Sequence, residues 1–243
     1  KPFGFKPIRF TYIKDLENPM YNQVFYNPSI NFNVYDGISY GIRFNNKTVQ
    51  NRPFLLSVEP YFSTINKQLI GFFSASYNKF NQTSNYYLKN ISLSGTTSHY
   101  DENLRYSLLS ASANIVLRPS NLRENRKEII RFFWQYVNRE QNRDQILKPN
   151  YAIGGLSYII SNKNALDYFT MVSNFEAGSK FGKLSLRADY RHLTNSGRQF
   201  SFRLFAGKFL WQNSLNTDYF SFALNRPIDY LFQYNYFGRS ETT

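Results

Sequence analysis

The stretch from Lys183 to Leu210, KLSLRADYRHLTNSGRQFSFRLFAGKFL, constrains the fold more than any other. Its first half puts Leu184, Leu186, Ala188 and Tyr190 on one parity and Ser185, Arg187, Asp189 and Arg191 on the other. The turn signal Thr194-Asn195-Ser196-Gly197 follows, after which Phe200, Phe202, Leu204 and Ala206 alternate with Ser201 and Arg203. Successive side chains point to opposite faces of a strand, so the pattern predicts a long antiparallel hairpin with one apolar and one polar face. Each arm holds about ten residues, the length a tilted strand needs to cross a bilayer.

The same alternation recurs along the chain. Residues 54–64 place Leu56, Val58, Pro60 and Phe62 on one face, and 69–78 set Phe73, Ala75 and Tyr77 against Phe72, Ser74 and Ser76. Residues 87–99 set Ile91 and Leu93 against Ser92, Ser94 and Thr96; 105–117 set Leu109, Ala111, Ala113, Ile115 and Leu117 against Ser110, Ser112 and Asn114. Residues 128–139 lack Gly and Pro and could be helical. However, Ile130, Phe132, Trp134 and Tyr136 alternate with Arg131 and Gln135, and aromatic enrichment favours a strand. Further strands are expected over 38–46, 151–161, 167–177, 219–225 and 229–237, with Asp36-Gly37 a turn or the start of the strand after it. Residues 121–128 read as a loop or a water-exposed strand extension, and 140–149 as a loop. Proline-rich residues 1–27, with one edge strand around 8–13, read as a lead-in, and residues 28–243 as a single domain. The expected fold is all-β: an antiparallel transmembrane β-barrel of about 12 strands, curled to remove its edges. A two-sheet sandwich is the soluble competitor, but its strands average only about five to six residues.

Composition agrees with a barrel. Aromatic residues make up 19% of the 243, with 20 Tyr and 24 Phe, while only 19% are charged and mean hydropathy is −0.49. No run approaches the roughly 18–20 apolar residues of a spanning helix. Disorder is poor in aromatics, whereas a polar lumen combined with aromatic girdles yields this mixture. The net charge of +13 comes from basic residues spread singly along the strands. A cationic lumen, or rims that meet lipopolysaccharide, accounts for it without nucleic acid.

Chemistry-bearing motifs are few. There is no Cys, and the only histidines are His99 and His192, so neither a thiolate site nor a clustered metal site is expected, nor any cofactor. The string DYRHLTNSG places His192 two residues before Thr194, a candidate catalytic dyad of the kind found in outer-membrane lipid deacylases, although a threonine is a hindered nucleophile. The competing reading is an interfacial histidine at a turn. Three Asn-x-Ser/Thr strings, at Asn46, Asn81 and Asn90, read as accidental sequons in such a setting. Arg43, Arg105, Arg131, Arg187, Arg191 and Arg203 are candidates for lumen-facing basic residues. They would either favour anions or be neutralised by carboxylates in a filled lumen.

Three strings together carry a resemblance: MYNQVFYNPSINFNVYDGISYGIRFNNK, ENRKEIIRFFWQYVNRE, and FRLFAGKFL followed by FALNRPIDYLFQYNYFGRSE. They resemble the β-barrel region that follows the catalytic domain in gluzincin-type, aminopeptidase-like outer-membrane metallopeptidases of Bacteroidota. The family's His-Glu-x-x-His and downstream Glu are absent, so the resemblance implies a membrane-anchoring part and carries over no active site. GRSETT at 238–243 lacks the closing aromatic of such barrels, which implies further strands beyond Thr243. The opening strand is more weakly similar to BamA-like barrels, which implies a scaffold in an outer-membrane assembly. The expected role is therefore an anchor or scaffold in a Gram-negative outer membrane. Its partners would be outer-membrane lipid, lipopolysaccharide, and a periplasmic domain or other outer-membrane subunits. A small anion-permissive pore and a lipid hydrolase are the alternatives.

Overall fold

The computed structural model describes residues 6–12, 18, 20–48, 52–119, 121, 123–140 and 150–213. Within them the chain forms 12 strands and no helix: β1 (Ile8–Tyr12), β2 (Asn22–Asn33), β3 (Gly37–Asn45), β4 (Phe54–Ser63), β5 (Leu69–Phe80), β6 (Tyr86–Asp101), β7 (Leu104–Leu117), β8 (Arg126–Arg139), β9 (Tyr151–Lys163), β10 (Asp167–Gly178), β11 (Phe181–Leu193) and β12 (Gln199–Gln212). They make one sheet in strict sequence order. Every neighbouring pair is antiparallel except β1 with β2, which is parallel. From β2 onward the meander needs only hairpin connections, and the turn chemistry is present. Gly37 closes the β2–β3 turn at φ +66° and Gly197 the β11–β12 turn at φ +77°, a region in which side chains are strained. At Gly37 a β-carbon would also lie 2.9 Å from Ile65, so space and backbone both require glycine.

The residues read as a possible helix form β8, a strand throughout. Alternating burial and aromatic content prevailed over the absence of breakers. The N-terminal region differs more. β1 falls where the edge strand was expected, but the first part of β2 occupies the segment read as a lead-in, and Pro28 lies inside β2 opposite Ile42. It sits just past Tyr26, the last residue that β1 pairs, where β2 has a neighbour on one edge only and a missing N–H costs little. Pro60 likewise sits in β4, and the β3–β4 ladder is interrupted between Tyr61 and Val58.

Barrel closure is not observed: among the described residues no ladder joins β12 to β1 or β2. The strands expected over 219–225 and 229–237 lie outside the described residues.

The two faces of the sheet are chemically distinct from β2 to β12. On one, Ile30, Ile42, Leu56, Ile91, Phe132 and Leu184 stand exposed. On the other, Phe25, Ile70, Val137, Ile153 and Phe181 are at most 2% exposed. Except on β12, which is exposed on both faces, side chains of one face cover each other while those of the other remain more open, as a curled sheet requires. We call these the inner and outer faces. Small inner residues permit the curl. Ser57, Ser74, Ser94 and Ser110 run in register across β4 to β7, and beside them lie Ser76, Ser92 and Ser112.

Paired glycines and aromatics recur across neighbouring strands. Gly41 faces Tyr61, Gly95 faces Phe73, Gly155 faces Phe133 and Gly182 faces Trp211. In each, an added β-carbon would fall within 2.5 Å of the facing ring. The ring covers backbone that glycine leaves bare, and so pins the register of that pair.

Candidate functional site: the inner face and its closed end

Turns at 34–36, 64–68, 102–103 and 179–180 share one end of the sheet, while those at 81–85, 164–166 and 194–198, the end of β3 and start of β4, and the end of β7 and start of β8 share the other. The first end is closed on the inner side. Tyr100, Tyr106, Val137, Tyr151, Ile153 and Phe181 form an apolar cluster there, extended by Leu104, Leu108 and Phe209. Tyr100 and Tyr106 meet edge to face with ring centres 6.4 Å apart, as do Phe181 and Phe209 at 6.3 Å.

At the same end the β2–β3 turn laps past the β4–β5 turn onto the end of β6. Asp36 is 0% exposed and His99 1%. One Asp36 carboxylate oxygen lies 2.5 Å from His99 Nδ1. The other accepts from the His99 backbone N–H at 3.0 Å, Ser98 Oγ at 2.8 Å and Asn33 Nδ2 at 3.3 Å. Asn33 Nδ2 also donates to the His99 carbonyl, and Ser63 Oγ to the Asp36 carbonyl. Burial pushes the Asp36 carboxyl up, but the backbone N–H of His99, the Ser98 hydroxyl and the His99 ring together hold it below the usual carboxylate range. The arrangement ties together residues more than 60 positions apart. Its carboxylate oxygens are occupied by these donors and sealed from solvent, so it is a structural clamp.

Toward the middle the inner face is polar and internally bonded. Asn78, Asn90 and Asn114 form a ladder through bonds of 2.8 and 2.9 Å, and the hydroxyls of Ser92 and Ser112 meet at 2.7 Å. Gln135 donates to Ser110 at 3.0 Å.

The structure separates the six candidate arginines. Arg43 is on the inner face and pairs with Glu59 at 2.8 Å, while Tyr61 donates to the same carboxylate. Arg187 and Arg203 share Asp189, at 3.2 and 2.5 Å. Arg191 lies over the Tyr168 ring and Arg131 over the Phe133 ring, 5.2 and 5.7 Å from the ring centres. These five share the inner parity. Arg105 does not. It faces His99 in register, on the parity of Thr97, Leu109 and Ala111, which is the outer face. Its identity as an arginine suggested the lumen, but position along β7 decides the face.

Arg187, Arg191, Arg203 and Asp189 line a recess of about 710 Å³ with Tyr168, Gln199 and Ser201. Three guanidinium groups against one carboxylate leave it cationic. The candidate dyad is not assembled: His192 Nδ1 meets Asp167 at 2.7 Å. The Thr194 hydroxyl instead bonds with Ser196 and with the Arg198 backbone, closing its own turn. Among the described residues no cluster of three or more His, Cys, Asp or Glu could hold a metal ion.

The clamp and the glycine–aromatic pairs were not foreseen from the sequence. Asp36-Gly37 signalled a turn, but nothing local indicates that its carboxylate reaches His99. The chain matches no protein-family model, no curated protein and no solved structure.

Proposed function

We propose that this chain is an outer-membrane β-barrel wall that serves as an anchor or scaffold, with a peptidase-like domain or other outer-membrane subunits as its partner. One observation carries the reading. Eleven consecutive strands, β2 to β12, of nine to 16 residues each, keep an apolar outer face and a largely polar inner face without a break in sense. A bilayer crossing takes about 9–11 tilted residues, and outward apolar with inward polar side chains is what lipid outside and water or packed polar groups inside demand. The peptidase-like partner rests on the resemblance of the three strings quoted above. Expressed with a signal for export, the chain is expected in the outer-membrane fraction, released only by detergent and migrating differently on gels before and after heating. A chain that stays in solution without detergent would overturn the reading.

The cationic recess between β11 and β12 favours a second reading, an anion-permissive pore. The apolar cluster at the opposite end opposes it, because permeation needs a continuous wet path. Planar-bilayer recording of the inserted protein is therefore expected to show no discrete steps; anion-selective steps that fall on replacing Arg187, Arg191 and Arg203 by Gln would make the pore the better reading.

A further inference from the structure

The outer face carries one feature that a uniform lipid-facing wall does not need. Near the closed end, Gly71, Gly95, Thr97 and Ser107 form the floor of a groove between Phe73 and Tyr136, with a volume of about 460 Å³. Its floor is shallow because those four positions bear small side chains among larger apolar neighbours. Arg105 stands at the mouth, one residue into β7, where a spanning strand would reach headgroup level.

Opposite Arg105, on the outer parity and beside the last residue of β8, is Glu140. The two are adjacent across the strands, since the Glu140 N–H donates to the Arg105 carbonyl at 2.8 Å. Opposite charges so placed ordinarily pair. Here they do not. The Glu140 carboxylate accepts from the Arg105 backbone N–H at 3.0 Å. The Arg105 guanidinium donates to Thr97 Oγ1 and to the Leu69 carbonyl, both at 2.7 Å. These neutral acceptors hold the guanidinium in place and, among the described residues, no carboxylate pairs with its charge. A fixed cation and an exposed anion thus sit side by side at the head of an apolar groove.

We infer that this groove binds a phospholipid whose headgroup carries both a phosphate and a primary ammonium, as phosphatidylethanolamine does. The phosphate meets Arg105 as a charge-assisted hydrogen-bond acceptor, the ammonium meets Glu140, and one acyl chain lies along the floor. The inference rests on the membrane reading above. The Glu140 carboxylate beside Arg105 decides the headgroup class: a purely anionic headgroup would be repelled there, where a zwitterionic one finds a partner for each charge.

Native mass spectrometry of the full chain in detergent, titrated with phosphatidylethanolamine, phosphatidylglycerol or lipid A, tests it. Phosphatidylethanolamine is expected to be retained in preference to the others. Arg105→Gln should weaken that retention by about tenfold, as loss of a hydrogen bond to a charged group does. Glu140→Gln should erase the preference over phosphatidylglycerol, and Ser107→Leu, which fills the floor at an exposed position, should weaken both phospholipids. Equal retention by the parent and all three variants, or a preference for phosphatidylglycerol or lipid A, would overturn the site. Heating the same samples before electrophoresis separates the two failures. A heat-modifiable protein without lipid preference overturns the groove alone, whereas a chain soluble without detergent overturns the membrane reading with it.

Discussion

Asp36→Ala is expected to destabilise the closed end of the sheet by about 3–5 kcal/mol, since it removes one acceptor from several donors at once and each buried donor left unpaired costs about 1–3 kcal/mol. The reason is geometric. The carboxylate satisfies the His99 ring, the His99 N–H, the Ser98 hydroxyl and Asn33 at once, and the two His99 groups are buried, with no water to turn to. Urea unfolding of the detergent-folded protein, followed by tryptophan fluorescence, measures the loss. His99→Ala should lose a comparable amount, and the double variant less than the sum of the two, because both remove the same interaction. Additive losses would show that the two residues act separately. The clamp also predicts an acid limit. Asp36 is held below its ordinary value, so its contribution is complete above the unfolded-state carboxylate value of about 3.9. It declines as pH falls through the lower folded-state value. In Asp36→Asn that part of the acid loss should vanish, while stability at neutral pH falls.

Leu93→Arg should have the second large effect, and it bears directly on what surrounds the sheet. Leu93 sits at the midpoint of β6 on the outer face, between Ala75 and Ala111. If lipid covers that face, a guanidinium there costs about 2–4 kcal/mol at the bilayer midplane. If water does, replacing an exposed leucine changes stability by only about 0.5 kcal/mol. Folding yield into vesicles of defined thickness, read by heat-modifiable migration, distinguishes the two. Ser94→Thr, one residue along and on the inner face, serves as the control and should fold as the parent does.

Much of the wall is legible in the alternation. β4 to β12 fall where polar and apolar residues alternate, because a half-solvated strand writes its two faces into alternate positions. β2 was less legible than β1, since Pro28 and a polar run argue against a strand unless one edge is known to lack a partner. Arg105 shows a different limit. Counting from Leu109 and Ala111 already places it on the apolar face, yet its charge suggested the lumen; the face follows position, and the charge has to be accommodated there. His192 and Thr194 show the converse, since adjacency in sequence at a turn did not bring their side chains together.

What the sequence by itself determined is the two-faced strand, its approximate length and its repetition, since each follows from local periodicity and turn residues. Only the tertiary structure decided which strands register a glycine against an aromatic ring. It also decided that a carboxylate in the first hairpin turn closes over a histidine more than 60 residues on, and that one end of the inner face is packed with Tyr, Val, Ile and Phe. These depend on pairing register and on the curl of the whole sheet. Register is a relation between strands, and no single strand carries it.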